Sequence, residues 1–465
     1  MSQIIVTQDH EATLEHVQFP YEYSSWPFIQ SKLQPMVQDP KSITKQLVID
    51  IIESIKVNHF GKPKKEDENP DKYLVLYQAM ELFEEQYYPD DYNSDDFLST
   101  VIPFIAHLVL KSEDYLPKQS IQYLKKGESK TLTISKLGAA CILANSFFCT
   151  WYRLSYDPLW KYFPSINYDE MYGKFPNFRP QFAKTMMLLN YFARVHKSFA
   201  DYSSNPNLGI SFTRHYLTPI PSFEYSDLPL CDVHVNSQGS IADSHDAVQI
   251  DFANKFIGGA SISFGCVQEE IEFSLCPEMN IARLFCHVMG DRESILITGA
   301  EQYSKHKGYA FSLDYAGNFI DLNKDSNGNS LKQTSAIDAL IFNKLNFLSQ
   351  WEKETIDREI IKSLSGFSSS KTMDKISTGN WGCGAFLGDV ELKAIIQVIS
   401  ASLAQKSLVY YSFQRKEVEV LAPLVEDLNK QGITVGALYQ SLLKVKQFAS
   451  NNQVATFTAL RKLLL

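Results

Sequence analysis

The sequence predicts an α/β fold: a mixed sheet sandwiched by helices, preceded by an all-α region packed against it. Three observations lead there. Through the first 200 residues, apolar side chains recur at three- and four-residue intervals, the period of helices with one buried face. At Ser203-Ser-Asn-Pro-Asn-Leu-Gly209 that pattern breaks. Beyond it, short β-rich runs alternate with helical ones, which points to a sheet flanked by helices. The change of character divides the chain into a helical unit, 1–205, and an α/β unit, 206–465.

In the helical unit, Ile43, Leu47, Val48, Ile51, Ile52 and Ile55 form one apolar face. Similar patterns run over Tyr73–Tyr87, Phe97–Leu110 and Ile134–Phe148, and Phe182–Phe199 follows Pro180, a residue suited to a first helical turn. Two charge-rich breaks, at 61–71 and 89–96, read as solvated loops; the Lys62–Lys65 cluster in the first is too short to serve as a nuclear signal. Tyr156–Pro180 is dense in rings with few interleaved cations, so it is expected to pack over the helices rather than stack bases. In the α/β unit, strands are expected at Ile210–Thr213, Cys231–Val235, Ala247–Phe252, Ile295–Thr298, Ala310–Leu313, Ala339–Phe342 and Leu408–Ser412. Helices are expected at Glu269–Leu275, Met279–Met289 and Glu391–Gln405, with a long exposed loop from Ala316 to Lys332.

Composition narrows the function classes. A net charge of −9 excludes the global basic footprint of a duplex-DNA binder. Seven cysteines, with no C-x-x-C pair, argue against a disulfide framework or zinc ribbon and for a reducing compartment. The first 20 residues lack the basic start and apolar core of a secretory signal. The apolar run Leu137–Cys149 is too short to cross a bilayer and reads as a buried helix. A soluble intracellular protein, nuclear or cytoplasmic and without membrane partners, is expected.

Two glycine-rich elements and a pair of carboxylates carry the chemistry. The strand expected at Ala247–Phe252 runs toward Gly258 and Gly259, after which Gln268, Glu269 and Glu270 open a helical pattern. Glycines let backbone approach a ligand closely. The second element, Thr378-Gly-Asn-Trp-Gly-Cys-Gly-Ala-Phe-Leu-Gly388, precedes another helix. Such a loop turns several N–H groups inward and suits phosphate oxygens without a lysine, and the helix start adds positive potential. Glu269 and Glu270 are adjacent, about 100° apart on a helix, so they cannot straddle a sugar as a separated glycosidase pair does. One is therefore expected to handle the proton while the other grips hydroxyls. A free glutamate titrates near 4.3, so a donor at neutral pH gains proton affinity from burial or nearby negative charge, against the opposing helix start.

These stretches, with Ile-Thr-Gly-Ala-Glu-Gln-Tyr-Ser at 297–304 and Gly-Tyr at 308–309, resemble the poly(ADP-ribose) glycohydrolase family over roughly residues 210–440. The resemblance implies a macrodomain-like α/β unit that binds ADP-ribose and cleaves the ribose–ribose O-glycosidic bonds of poly(ADP-ribose). It implies no metal and no organic cofactor. By that resemblance Glu270 is the general acid/base, Glu269 the carboxylate that orients ribose hydroxyls, and Asp251 the third acidic residue. Phe252, Asn254, Gly258, Gly259 and Gln268 would hold substrate, and Tyr309 would close over it. Asn380, Trp381, Gly382, Cys383, Gly384, Ala385 and Phe386 would form the diphosphate loop. Phe413 would stack on adenine, and the backbone of Ile241 and Ala242 would read its edge. Three positions depart from the family pattern: Ala260 replaces a glycine, His306 stands where tyrosine is common, and Ala242 replaces an acidic residue. The expected partners are poly(ADP-ribose), free or on modified proteins, and the ADP-ribose product, acted on by a monomer. A non-catalytic ADP-ribose reader and a hydrolase of single protein-linked units are the alternatives; the Gln268-Glu269-Glu270 triplet disfavours the first and Tyr309 the second.

Overall fold

The computed structural model describes residues 15–61, 71–92, 96–117, 120–152, 161–173, 178–449 and 454–465. The Lys62–Lys65 cluster and parts of the aromatic stretch, 153–160 and 174–177, lie outside the described residues. What is described of that stretch packs inward: Phe163, Tyr168 and Tyr172 are buried.

The principal helices before the α/β half are α1 (Trp26–Gln38), α2 (Lys45–Phe60), α3 (Leu74–Leu82), α4 (Phe97–Leu110), α5 (Lys136–Phe147) and α6 (Arg179–Lys197). Each starts or ends where local chemistry allows. The Thr44 hydroxyl accepts the Leu47 N–H to cap α2, and Pro180 occupies the first turn of α6. Every residue of α5 is buried, as its unbroken small and apolar run requires.

Ten strands follow the chain as β1 (Lys130–Ser135), β2 (Gly209–Tyr216), β3 (Val233–Asn236), β4 (Val248–Ala253), β5 (Glu293–Thr298), β6 (Ser304–Lys307), β7 (Asp314–Asn318), β8 (Gln333–Asp338), β9 (Lys375–Gly379) and β10 (Ser407–Tyr411). Eight of them form one mixed sheet in the order β1-β2-β5-β8-β4-β9-β10-β3; β6 and β7 pair separately. The block β8-β4-β9-β10-β3 is parallel and the remaining pairs are antiparallel. Between and after the strands lie α7 (Gln268–Leu275), α8 (Lys353–Phe367), α9 (Val390–Leu403), α10 (Leu421–Lys430), α11 (Val435–Leu442) and α12 (Thr456–Leu464).

Strand alternation sends side chains to two different cores. Ile295, Ile297 and Ala336 join the core built with α4, α5 and α6. Leu296, Ile337, Val248 and Ile250 join a second core built with α8, α9 and the C-terminal helices. Asp251 and Ala253, out of phase with Ile250, therefore face the helical half. The parallel strands β4, β9 and β10 end side by side, so the chain segments leaving them converge on one edge, where ligands of open α/β sheets bind.

Several elements differ from the sequence expectation. The region before 206 is not wholly helical: β1 pairs with β2, Ile134 opposite Ile210. Ala310–Leu313 is not a strand; Ala310–Ser312 makes a 3₁₀ turn with Ala310 at φ 50°, and the strand begins at Asp314. The strand expected at Ala339–Phe342 lies just before it, at Gln333–Asp338, because sheet pairing selects the Thr-Ser-Ala-Ile run, buried on both faces. The Met279–Met289 helix is only a 3₁₀ segment and one α turn, Pro277–Phe285, after which the backbone runs extended against Leu124.

Candidate active site

The first site loop leaves β4 at Ala253 and returns to the start of α7. The Gln268 amide joins the two, its Oε1 accepting the Phe252 N–H at 2.8 Å and its Nε2 donating to the Ile250 carbonyl at 3.2 Å. Asn254 caps its own turn by accepting the Phe256 N–H. Both carboxylates of the first helical turn reach back into this loop. Glu269 accepts the Asn254 and Gly258 amides at 2.8 and 2.6 Å, and Glu270 accepts Ala260 and Val267 at 3.1 and 3.0 Å. The angular separation expected from the helix is thereby cancelled. Glu269 Oε2 and Glu270 Oε1 each lie 2.6 Å from the point a Cβ on Gly259 would occupy. Gly259, at φ 46°, is the residue that permits this convergence. Ala260 uses its amide, which explains why a methyl group is tolerated there.

Asp251 lies beneath the pair, fully buried, and neither of its carboxylate oxygens has a hydrogen-bond partner among the described residues. Burial first, then the charges of Glu272 and Glu270, hold its carboxyl well above the usual range. Burial also raises Glu269, with Asp251 and Glu270 adding to the effect and the Asn254 and Gly258 amides opposing it. Glu270, at 7% exposure, is the most accessible of the three.

Phe252, Gln268, Tyr309, the segment Asn380–Phe386 and Phe413 line a cleft of about 550 Å³, and Ile241 and Ala242 line an adjoining recess of about 130 Å³ with Gln268, Tyr309 and Phe413. Tyr309 is half exposed, and burial, then the Glu270 charge, hold its phenol above the ordinary value. Phe413 sits at φ 48° with its ring edge over Gly379. In the second loop the side chains mostly build the wall. Asn380 donates to the Ser412 carbonyl and accepts the Tyr410 hydroxyl, both at 2.9 Å. The Trp381 indole is fully buried, donating to Ile337 at 3.0 Å beneath the Lys393 ammonium. The Cys383 thiol is buried and pushed up to about 12, which rules it out as a nucleophile. Among the described residues, the N–H groups of Gly384, Ala385 and Phe386 find no protein acceptor, so they remain for an anion. The following helix start is already occupied: the Asp389 carboxylate accepts Leu392 N–H at 2.8 Å. The cation at the cleft is instead Arg415, two positions past Phe413 and passed over by sequence reasoning, whose Nη1 also pairs with Glu417 at 3.2 Å.

Two buried cations were also missed. Arg283 Nη1 donates to the Gly259 carbonyl at 2.9 Å, and Lys184 of α6 donates to carbonyls of the 260–265 segment. Their only sequence signal is a charge inside an otherwise apolar run. Among the described residues no group of His, Cys, Asp and Glu could hold a metal ion.

Comparison with known proteins gives the family of the chain. Family models described as poly(ADP-ribose) glycohydrolase (PARG), Macro domain fold and helical domain match residues 220–420 and 89–214. Poly(ADP-ribose) glycohydrolase 1 of Arabidopsis thaliana is 29% identical over 442 residues, covering 76% of this chain and 79% of that protein. Probable poly(ADP-ribose) glycohydrolase 2 of the same plant is 27% identical over 417 residues, covering 76% and 78%. Poly(ADP-ribose) glycohydrolase 1 of Caenorhabditis elegans is 38% identical over 216 residues, 43% of this chain and 28% of that one. Fold and site define a macro-domain protein with a helical unit joined to one face of its sheet. The chain belongs to the poly(ADP-ribose) glycohydrolase family.

Proposed function

We propose that this protein hydrolyses the ribose–ribose O-glycosidic bonds of poly(ADP-ribose), free or attached to proteins, and releases ADP-ribose. The observation that carries the reading is the convergence of Glu269 and Glu270 on Gly259, beside a cleft whose opposite wall offers unpaired amides. The diphosphate would lie along Gly384–Phe386 near Arg415, the adenine against Phe413, and Tyr309 over the ribose. Glu270, the least buried acid, would protonate the departing ribose oxygen and then deprotonate the attacking water. Each of its oxygens takes one backbone N–H, which fixes its position and leaves a lone pair free for substrate. Glu269 would accept or donate to ribose hydroxyls. Burial and the mutual charge of the three acids push Asp251 and Glu269 upward, so simultaneous charging of all three is disfavoured. General acid catalysis of this kind supplies roughly 10²- to 10⁴-fold, with fixed backbone dipoles contributing the electrostatic remainder. An intracellular setting fits seven unpaired thiols, six of them buried.

The test is Glu270→Gln on radiolabelled poly(ADP-ribose), with mono-ADP-ribosylated protein alongside. Binding should persist while cleavage of polymer nearly stops. Substantial turnover by the variant would remove Glu270 from its role, and wild-type release from the mono-modified protein alone would favour the single-unit hydrolase.

A further inference from the structure

Lys184 belongs to the helical half yet ends inside the catalytic loop. It is 1% exposed, and its Nζ donates to the carbonyls of Ser261, Ser263 and Gly265 at 2.9, 2.7 and 2.7 Å, with Ala260 at 3.4 Å. An ammonium has three protons, and three short acceptors use them all. The loop is thus wound around the lysine head. Its two ends then grip Glu270: the Ala260 amide holds Oε1, and Gly265 lies flush on the side chain, where an added Cβ would meet Cγ at 2.6 Å. Arg283 completes the hold. Peptide planes are rigid, so drawing the Gly259 carbonyl toward Arg283 turns the Ala260 N–H the opposite way, onto Glu270. Burial pushes the Lys184 ammonium down to about 7, with the Glu270 charge the largest opposing influence, so the two groups share one field.

We infer that Lys184 is a positioning residue for Glu270, through which the helical half forms part of the catalytic apparatus. Resting on the glycohydrolase reading above, this gives α6 a direct part in the reaction beyond covering the sheet. A residue of this kind acts on turnover and leaves the nucleotide cleft intact, since Lys184 lines none of it.

The experiment compares wild type with Lys184→Met and Lys184→Gln. It reads kcat and KM on poly(ADP-ribose), ADP-ribose Kd by calorimetry, and folded fraction by circular dichroism. Folded variants should lose about 100-fold in kcat, the scale of an ångström-sized misplacement, while ADP-ribose Kd stays within about threefold. Gln, with two donors, should retain more kcat than Met. A folded variant with kcat near wild type overturns the assignment, as does a matching loss in Kd. Unfolding of both variants would make Lys184 a residue of global stability and overturn it too. Wild type without polymer cleavage would instead sink the functional reading, and this inference with it.

Discussion

Gly259→Ala perturbs the site at its narrowest point. The new Cβ would stand 2.6 Å from Glu269 Oε2 and from Glu270 Oε1, whereas ordinary contact begins at 3.4 Å, so each oxygen recedes by about 0.8 Å. Alanine at φ 46° adds left-handed strain of about 1–2 kcal/mol. The displaced oxygens are those that accept Asn254 and Ala260 N–H, and losing one such charge-assisted bond costs about 1.5–3 kcal/mol. The sum is about 2.5–5 kcal/mol. In a chain of 465 residues, an unfolding entropy near 2.1 cal/mol/K per residue converts each kcal/mol into about 1 °C, so Tm should fall by about 2.5–5 °C. Misplacing the acid on this scale should lower kcat about 10²-fold. Differential scanning fluorimetry and release of ADP-ribose from polymer measure both. Gly384→Ala is the stability control, because its Cβ meets nothing within 4 Å and its Tm should stay within about 1 °C. A Gly259→Ala enzyme with kcat within threefold of wild type would refute the convergence as the centre of the chemistry.

Phe413→Ala should weaken ADP-ribose binding about tenfold or more, since a base–aromatic stack contributes about 1–3 kcal/mol, while kcat at saturating polymer changes little; unchanged Kd by calorimetry would place the base elsewhere. Asp251→Asn should cost activity yet raise Tm, by a margin that grows as pH rises above the ordinary carboxylate range. The Asp251 carboxyl titrates higher folded than unfolded, so its contribution is present at low pH and lost as pH rises through the folded value, a loss the amide escapes. Burial lowers His59 and His287 to about 4, so their contribution is present above about 6.5 and lost as pH falls toward 4. Urea midpoints of wild type should therefore decline across that window more steeply than those of a His59→Gln/His287→Gln variant; parallel curves would contradict this.

Much of the site was legible because its chemistry is local in the chain. Glycine pairs, an acidic doublet and a ring after a strand are each visible as short strings. Their meaning changed with folding. Asn380 and Trp381 read as ligand contacts but spend their side chains on Ser412, Tyr410 and Ile337, leaving backbone to face the cleft. The helix start expected to attract phosphate is answered by Asp389. Lys184 carried no motif, because a single lysine on an apolar helix says nothing about which loop will fold over it.

The fold shows the same division. Apolar periodicity marked α2, α4, α6, α7 and α9, since a helix records its buried face every three or four residues. It missed β1, whose Lys-Thr-Leu-Thr-Ile-Ser is half exposed at the sheet edge and carries only two apolar residues. It also placed a strand on Ala339–Phe342 when pairing with β4 and β5 selected the run before it. By itself the sequence determined several of the helices that carry a strong apolar period, where two glycine loops fall, and which acids stand beside them, but not α1, α8 or the C-terminal helices. Tertiary structure alone decided that both acids meet at one glycine and that their loop is held by cations from distant helices. The acids reach their glycine across ten or so positions and the cations across 24 to 81, and a linear pattern carries no record of either distance in space.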